Sequence, residues 1–315
     1  MIGIKDIFAA SKRIYPIARV TPLFSSHSFN AMNRFDVYLK AENLQKTGSF
    51  KIRGAANFIL KRQIEHGKIS GIITASSGNH GQAVACVAGQ LGIPAIVVMP
   101  EWAVAAKVNA IRAYGAQVQL CGSGSSESIL KAGELSKENG FLMVPPFDHE
   151  DTMAGQGTVA IEILQQIPDA EMVFVPIGGG GLIAGVLVGI KSLRPDIRVI
   201  GVEPEGSNSM YRSWKAGGLT KLDHVKSIAD GLLVDIPGSQ TFPIVEKYVD
   251  DIILVNEEEI KIAMRYGLER YKLLCEPSGA TSIAGAVKYA QGSMKKAVAI
   301  VSGGNLDLDR IKDYL

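Results

Sequence analysis

Short β-branched apolar runs alternate along this chain with segments whose apolar residues recur at helical spacing. Residues 71–100 contain no Asp, Glu, Lys or Arg, and they divide into a strand at 72–75 (IITA), a loop at 76–79 (SSGN), a helix at 80–92 and a strand at 95–99 (AIVVM). A strand without a polar face is one covered by helices on both sides, as in parallel sheets. The rhythm recurs: a helix around 108–116 precedes a strand at 117–120, and a strand at 171–177 precedes four glycines. A helix ending near Arg194 leads into a strand at 197–203; a strand at 251–255, helices at 257–272 and 278–290 and a strand at 297–302 follow. This alternation predicts an α/β protein with mostly parallel sheets.

One stretch imitates a membrane span, since residues 172–190 carry no charge over 19 positions, a length sufficient for a transmembrane helix. Its interior reads otherwise: a β-branched run ending near Pro176, four consecutive glycines, then helical spacing, which together spell strand, loop and helix. The periodic pattern weakens at 66–70 (HGKIS) and at 145–151 (PPFDHED). Those two interruptions predict a small α/β domain, residues 71–148, inserted into a larger domain made of residues 1–70 and 149–315.

Composition narrows the function. The 315 residues are 47% hydrophobic and 20% charged, enough apolar material for about two domains and too much for a disordered chain. With 33 basic against 31 acidic residues the net charge is +2, too small a field to favour nucleic acid or an anionic membrane as partner. Cys86, Cys121 and Cys275 are too few and too scattered for a CxxC site or a disulfide framework. Lys5, Asp6, Lys12 and Arg13 interrupt any secretory apolar run. A cytoplasmic protein is expected.

Glycine is in excess, 34 of 315 residues, where roughly 7% is usual, and it concentrates in loops that follow strands. Ligands of open α/β sheets bind at such loops. Gly178, Gly179, Gly180 and Gly181 precede a helix and offer bare amides at its positive end, a cradle for phosphate; the alternative is a tight turn. The same loop reads as a dinucleotide fingerprint, Gly179-x-Gly181-x-x-Ala184, with Glu203 near the position of a ribose-binding acid, so a nicotinamide-dependent oxidoreductase fits this spacing. Ser76, Ser77, Asn79 and His80 gather hydroxyl, amide and imidazole groups at a helix start, suited to a carboxylate, although one such residue would serve simply as a cap. Ser302-Gly303-Gly304-Asn305 follows the last strand. Lys51, beside Phe50, is either a solvated charge or an amine whose desolvation would ready it for a Schiff base.

Taken together, KAENLQKTGSFKIRGA (40–55), SSGNHGQA (76–83), GGGGLIAG (178–185), GVEP (201–204), EPSGA (276–280) and SGGN (302–305) resemble the pyridoxal-phosphate enzymes of the threonine/serine dehydratase and serine racemase family. The match runs in order over nearly the whole chain and displaces the dinucleotide reading. The resemblance implies a fold-type-II (tryptophan synthase β-like) architecture of two open parallel-sheet domains, the larger binding pyridoxal 5'-phosphate. It implies that Lys51 holds the cofactor aldehyde, that Phe50 packs on the ring, that Gly178–Gly181 take the phosphate and that Asn79 bonds the ring hydroxyl. Ser76, Ser77 and His80 would receive the substrate carboxylate, and Ser302 would face the ring nitrogen. A neutral hydroxyl there makes the ring a weaker electron sink, suited to elimination.

The reaction so implied is β-elimination of L-threonine or L-serine to a 2-oxo acid and ammonia, with Lys51 as general base. Serine racemisation is the near alternative, with Ser77 as the second proton carrier; hydroxyaspartate dehydration and a non-catalytic amino-acid sensor are further ones. Racemase-type members hold a divalent cation; Glu203 matches their first acid, but position 209 is Ser, and one carboxylate makes a weaker hard-cation site than two. A homo-oligomer acting on a small amino acid is expected, without a regulatory domain after the SGGN segment.

Overall fold

The computed structural model describes every residue except Arg34, Ser77, Ser123 and 290–295. The chain begins with helix α1 (Ile4–Ile14), strand β1 (Leu23–Ser25), helix α2 (His27–Asn33), strand β2 (Asp36–Ala41) and helix α3 (Lys51–His66). It continues through β3 (Ile72–Ala75), α4 (Asn79–Leu91), β4 (Ala95–Met99), α5 (Ala105–Ala113), β5 (Gln117–Leu120), α6 (Ser125–Asn139) and β6 (Leu142–Met143). After α7 (Glu150–Gln166) come β7 (Met172–Pro176), α8 (Gly181–Leu193), β8 (Arg198–Pro204), α9 (Ser209–Ala216) and α10 (Phe242–Tyr248). The last elements are β9 (Asp251–Val255), α11 (Glu257–Tyr266), α12 (Pro277–Tyr289) and β10 (Lys296–Val301).

The strands form two sheets. One runs β1-β2-β10-β7-β8-β9, parallel apart from its antiparallel edge strand β1. The other, β5-β4-β3-β6, is parallel throughout. Apolar alternation explains the layering. Along the fully buried β7, Val173 and Val175 pack with Ile7, Val159 and Leu187 of α1, α7 and α8. Met172 and Phe174 point the other way, onto Ile260 and Ile283 of α11 and α12. Successive residues of a strand face opposite layers, so a strand with helices on both sides has no polar face. In the smaller sheet, α3, α4 and α5 cover one side through Ile52, Val84 and Ile111, and α6 covers the other through Ala132.

The uncharged stretch 172–190 is β7, a glycine loop and most of α8, and among the described residues no helix is long and apolar enough to cross a membrane. The helix expected over 257–272 is α-helical only to Tyr266; Gly267–Tyr271 form a π turn, closed by Lys272 in the left-handed region with φ 59°. Gly267 lets the departing chain pass close by, since a Cβ there would stand 2.9 Å from Cys275 Sγ, and Leu273 N closes the turn on Gly267 O.

Sheet order also fixes where a ligand can sit. From β7 the chain crosses by α8 to β8 on one flank, while α12, on the opposite face, leads to β10 on the other flank. The carboxyl ends of β7 and β10 therefore open a crevice at a topological switch point. The smaller sheet repeats the arrangement between β3 and β6, with α4 on one face and α6 on the other.

Candidate active site

The two crevices share a cavity of about 230 Å³, and the segments after β3, β6, β7 and β10 each supply part of its wall. Ser76, Asn79 and His80 follow β3, Pro146 and Phe147 follow β6, Gly178–Gly181 follow β7, and Ser302 follows β10.

Lys51 is the first residue of α3, and its side chain enters this cavity. The turn before it is pinned to the end of β10, where Phe50 N–H donates to Ser302 O at 3.0 Å and Ser49 bridges Gly303. The Lys51 Nζ donates to Pro146 O at 2.8 Å and lies 5.3 Å from the Phe50 ring centre. Burial without a compensating carboxylate lowers this amine from the usual 10.5 to about 8.

The glycine loop is built from bare backbone. A Cβ on Gly179 would lie 2.5 Å from the Phe147 ring, one on Gly181 2.8 Å from Phe147 Cβ, and one on Gly180 2.6 Å from Met210 Cε. Gly180 also has φ +92° and caps α8 without a side chain. The tight-turn reading thus explains Gly180, and close packing on Phe147 explains Gly179 and Gly181. The amides of Gly178, Gly179 and Gly180 find no acceptor among the described residues. Unpaired amides at a helix amino terminus suit a phosphate. The loop is braced from behind: Gly179 O accepts from Thr241 Oγ1 at 2.7 Å, and the Asp148 carboxylate accepts the N–H groups of Ser239 and Gln240 at 2.9 and 2.8 Å.

Asn79 opens α4 and joins the two crevices. Its Nδ2 donates to Glu276 Oε1 at 2.6 Å, and its Oδ1 accepts from Asn305 Nδ2 at 2.7 Å. Glu276 is buried, and desolvation, with the Asp230 charge adding to it, raises its carboxyl to about 7. His80 is buried as well, and desolvation with the Lys51 charge pushes its imidazole down to about 3. Neutral His80 gives its Nε2–H to Val144 O at 3.1 Å. Ser76 Oγ accepts from Gly78 N at 3.2 Å, while Ser302, also buried, points its Oγ toward Ser278 O at 3.4 Å. Ser77 lies outside the described residues.

Glu203 is elsewhere. It is buried at the end of β8 and accepts the N–H groups of Met210 and Tyr211 at 3.1 and 2.7 Å, so it caps α9. Burial raises this carboxyl to about 8. Engaged in this way, it offers no free ribose acid for a dinucleotide. Among the described residues no group of three His, Cys, Asp or Glu is placed to hold a metal ion.

Several residues of the cavity and of the brace behind it escaped the sequence reading. Glu276 stood in the EPSGA motif with no role assigned, although an acid between apolar neighbours before a helix was a signal. Phe147 and Asp148 sat in a segment read as a boundary. Lys107 and Asp230, joined at 2.7 Å across the cavity mouth, gave no local signal.

The cavity thus combines a desolvated lysine with a phosphate-type cradle, hydroxyl and amide donors, and a deep switch-point position, and these residues fit pyridoxal phosphate. Comparison with known proteins agrees. Residues 14–303 match the family described as pyridoxal-phosphate dependent enzymes. An L-threonine dehydratase of Staphylococcus aureus is 45% identical, covering 100% of this chain and 92% of its own length. An L-threonine ammonia-lyase of Thermotoga maritima is 42% identical over 99% of this chain and 77% of its own length. The structure of maize serine racemase superposes with a TM-score of 0.94 at 38% identity, covering 99% of this chain and 96% of that one. On sequence, fold and cavity alike, the chain belongs to the family of pyridoxal-phosphate-dependent enzymes.

Proposed function

We propose that this chain catalyses β-elimination of L-threonine and L-serine, releasing the 2-oxo acid and ammonia. The observation that carries the reading is the Lys51 amine, held near neutrality at about 8 in a cavity that also presents the glycine cradle. Relatives named as threonine ammonia-lyase and dehydratase support the substrate class. When bound, pyridoxal phosphate supplies the electron sink that lets the α proton leave.

The chain's own groups do the rest. Gly178–Gly181 would hold the phosphate, Phe50 would pack on the ring, Asn79 would meet the ring hydroxyl, and the uncharged Ser302 hydroxyl would take the ring nitrogen. Ser76, Ser77 and His80 receive the substrate carboxylate. His80 does so through its backbone N–H at the start of α4, because its neutral imidazole already gives Nε2–H to Val144 O and its Nδ1 lone pair cannot donate. Lys51 would hold the cofactor, and its Nζ would take the α proton, a task suited to an amine with a substantial neutral fraction. Residues 71–148 act as a small domain inserted between 1–70 and 149–315 and closing over the substrate to exclude water. In support, every strand of the four-stranded sheet lies within 72–143. The reading extends to a cytoplasmic homo-oligomer; three free cysteines accord with a reducing compartment.

The test is direct. Purified holoenzyme given L-threonine should release 2-oxobutanoate and ammonia in equal amounts, and Lys51→Ala should abolish this. Borohydride reduction followed by peptide mapping should tag Lys51. A tag on another residue, or no oxo acid, refutes the proposal. The likeness to maize serine racemase supports racemisation as a second reading, which pure L-serine separates by the ratio of D-serine to pyruvate formed.

A further inference from the structure

The charged groups lining the cavity are Lys51, Lys107, Asp230 and Glu276 among the described residues. Lys51 holds the cofactor in the proposed function, and Glu276 is taken up by Asn79 at 2.6 Å. Lys107, on α5, reaches across the mouth to Asp230, on the segment after α9, with Nζ and Oδ2 2.7 Å apart. Its ammonium also lies close to Gly78, where a Cβ would stand 3.9 Å from Lys107 Nζ. Ile129, Leu233 and Val234 complete this part of the wall with apolar surface.

An amino acid entering the cavity therefore meets balanced charge at its rim. The α-carboxylate has the loop amides and hydroxyls. A second carboxylate at the β carbon has nothing equivalent: the rim cation is already matched, and the exposed carboxylate facing it is Asp230. Like charges brought together in a partly desolvated cavity repel strongly enough to discriminate between ligands. We infer that Asp230 is a specificity-determining residue: by holding Lys107 it reserves the cavity for amino acids with an uncharged β substituent and turns away β-carboxylates such as aspartate and 3-hydroxyaspartate. The inference rests on the elimination reading for its choice of amino-acid ligands.

The experiment measures binding, so that it stands apart from turnover. The Kd values of L-aspartate and L-alanine, neither of which carries a β leaving group, are read from the change in cofactor absorbance of the holoenzyme. The proteins compared are wild type, Asp230→Asn, Lys107→Met and the double variant. Asp230→Asn should tighten L-aspartate relative to L-alanine by roughly tenfold, the scale of one uncompensated charge contact. Lys107→Met should weaken L-aspartate relative to L-alanine, and the double variant should lose the gain. The inference is overturned if Asp230→Asn shifts both ligands by one factor, which would make the pair only a strap across the mouth, or if Lys107→Met gains aspartate affinity. Failure of the elimination reading shows separately, as absence of oxo acid from wild type with L-threonine.

Discussion

Glu276 offers the sharpest physical test of the site, through the substitution Glu276→Gln. Burial and the Asp230 charge raise its carboxyl from an ordinary 4.5 to about 7 in the folded protein. Below pH 4.5 the group is protonated in both folded and unfolded chains and makes no difference. As the pH rises, the unfolded chain releases this proton first, while the fold retains it until about pH 7, so stability falls across that window and levels off above it. Each tenfold gain in proton affinity corresponds to about 1.4 kcal/mol, so the ionised carboxyl lowers stability at pH 8 by about 3 kcal/mol.

Glutamine cannot ionise, and its Oε1 can still accept from Asn79. Its one lost acceptor, toward the Asn305 amide, costs about 1 kcal/mol at every pH. Urea unfolding of the cofactor-free protein at pH 5, 6, 7 and 8 should therefore show the variant no more stable than wild type at pH 5 and about 2 kcal/mol more stable at pH 8. A difference that stays constant across those four pH values refutes the reasoning, because Glu276 would then share one pKa between folded and unfolded chains.

Two further outcomes follow from the same cavity. Gly179→Ala puts a methyl 2.5 Å from the Phe147 ring; the overpacking should cost about 1–3 kcal/mol of folding stability, seen as a lower urea midpoint of the cofactor-free protein, and an unchanged midpoint would contradict the packing. Capture of pyridoxal phosphate by the cofactor-free protein needs the Lys51 amine unprotonated, so its rate should rise with pH through about 8 and then level off; stopped-flow absorbance showing a midpoint near 10.5 would contradict the desolvated setting.

The strands, the glycine loop and the order of the motifs were legible because they are local: a period of two, a run of four glycines, a loop directly after a strand. Long-range pairings were not. Lys107 and Asp230 lie 123 positions apart, and no periodicity connects them. Charge was misleading too, because Lys and Arg are ordinarily solvated. Lys40 and Arg53 are instead fully buried, held by Glu42 and Glu162 at 2.6 to 2.8 Å. Arg53 sits two residues past Lys51 and binds both carboxylates, so the turn that carries the amine is anchored from beneath. The π turn after Tyr266 was hidden because helical spacing alone continues through it; only the close pass of Cys275 by Gly267 reveals why the helix stops.

The segment after β6 shows how the fold makes one site out of two crevices. Its polarity and paired prolines read as a mere junction, yet three successive residues reach the amine, the glycine cradle and the brace behind that cradle. Pro146 presents its carbonyl to the Lys51 amine, Phe147 fills the space that side chains on Gly179 and Gly181 would need, and Asp148 holds the 239–241 amides beside Thr241, whose hydroxyl bonds Gly179 O. A connector that leaves the small sheet and immediately touches the amine, the glycine cradle and the brace behind it ties all three to one backbone. Gly179 and Gly181 are bare because Phe147 occupies their side-chain space, and Phe147 is there because β6 ends at a switch point beside the one formed by β7 and β10. Sheet order therefore explains both where the cavity lies and why two positions of its cradle, 179 and 181, have to be glycine.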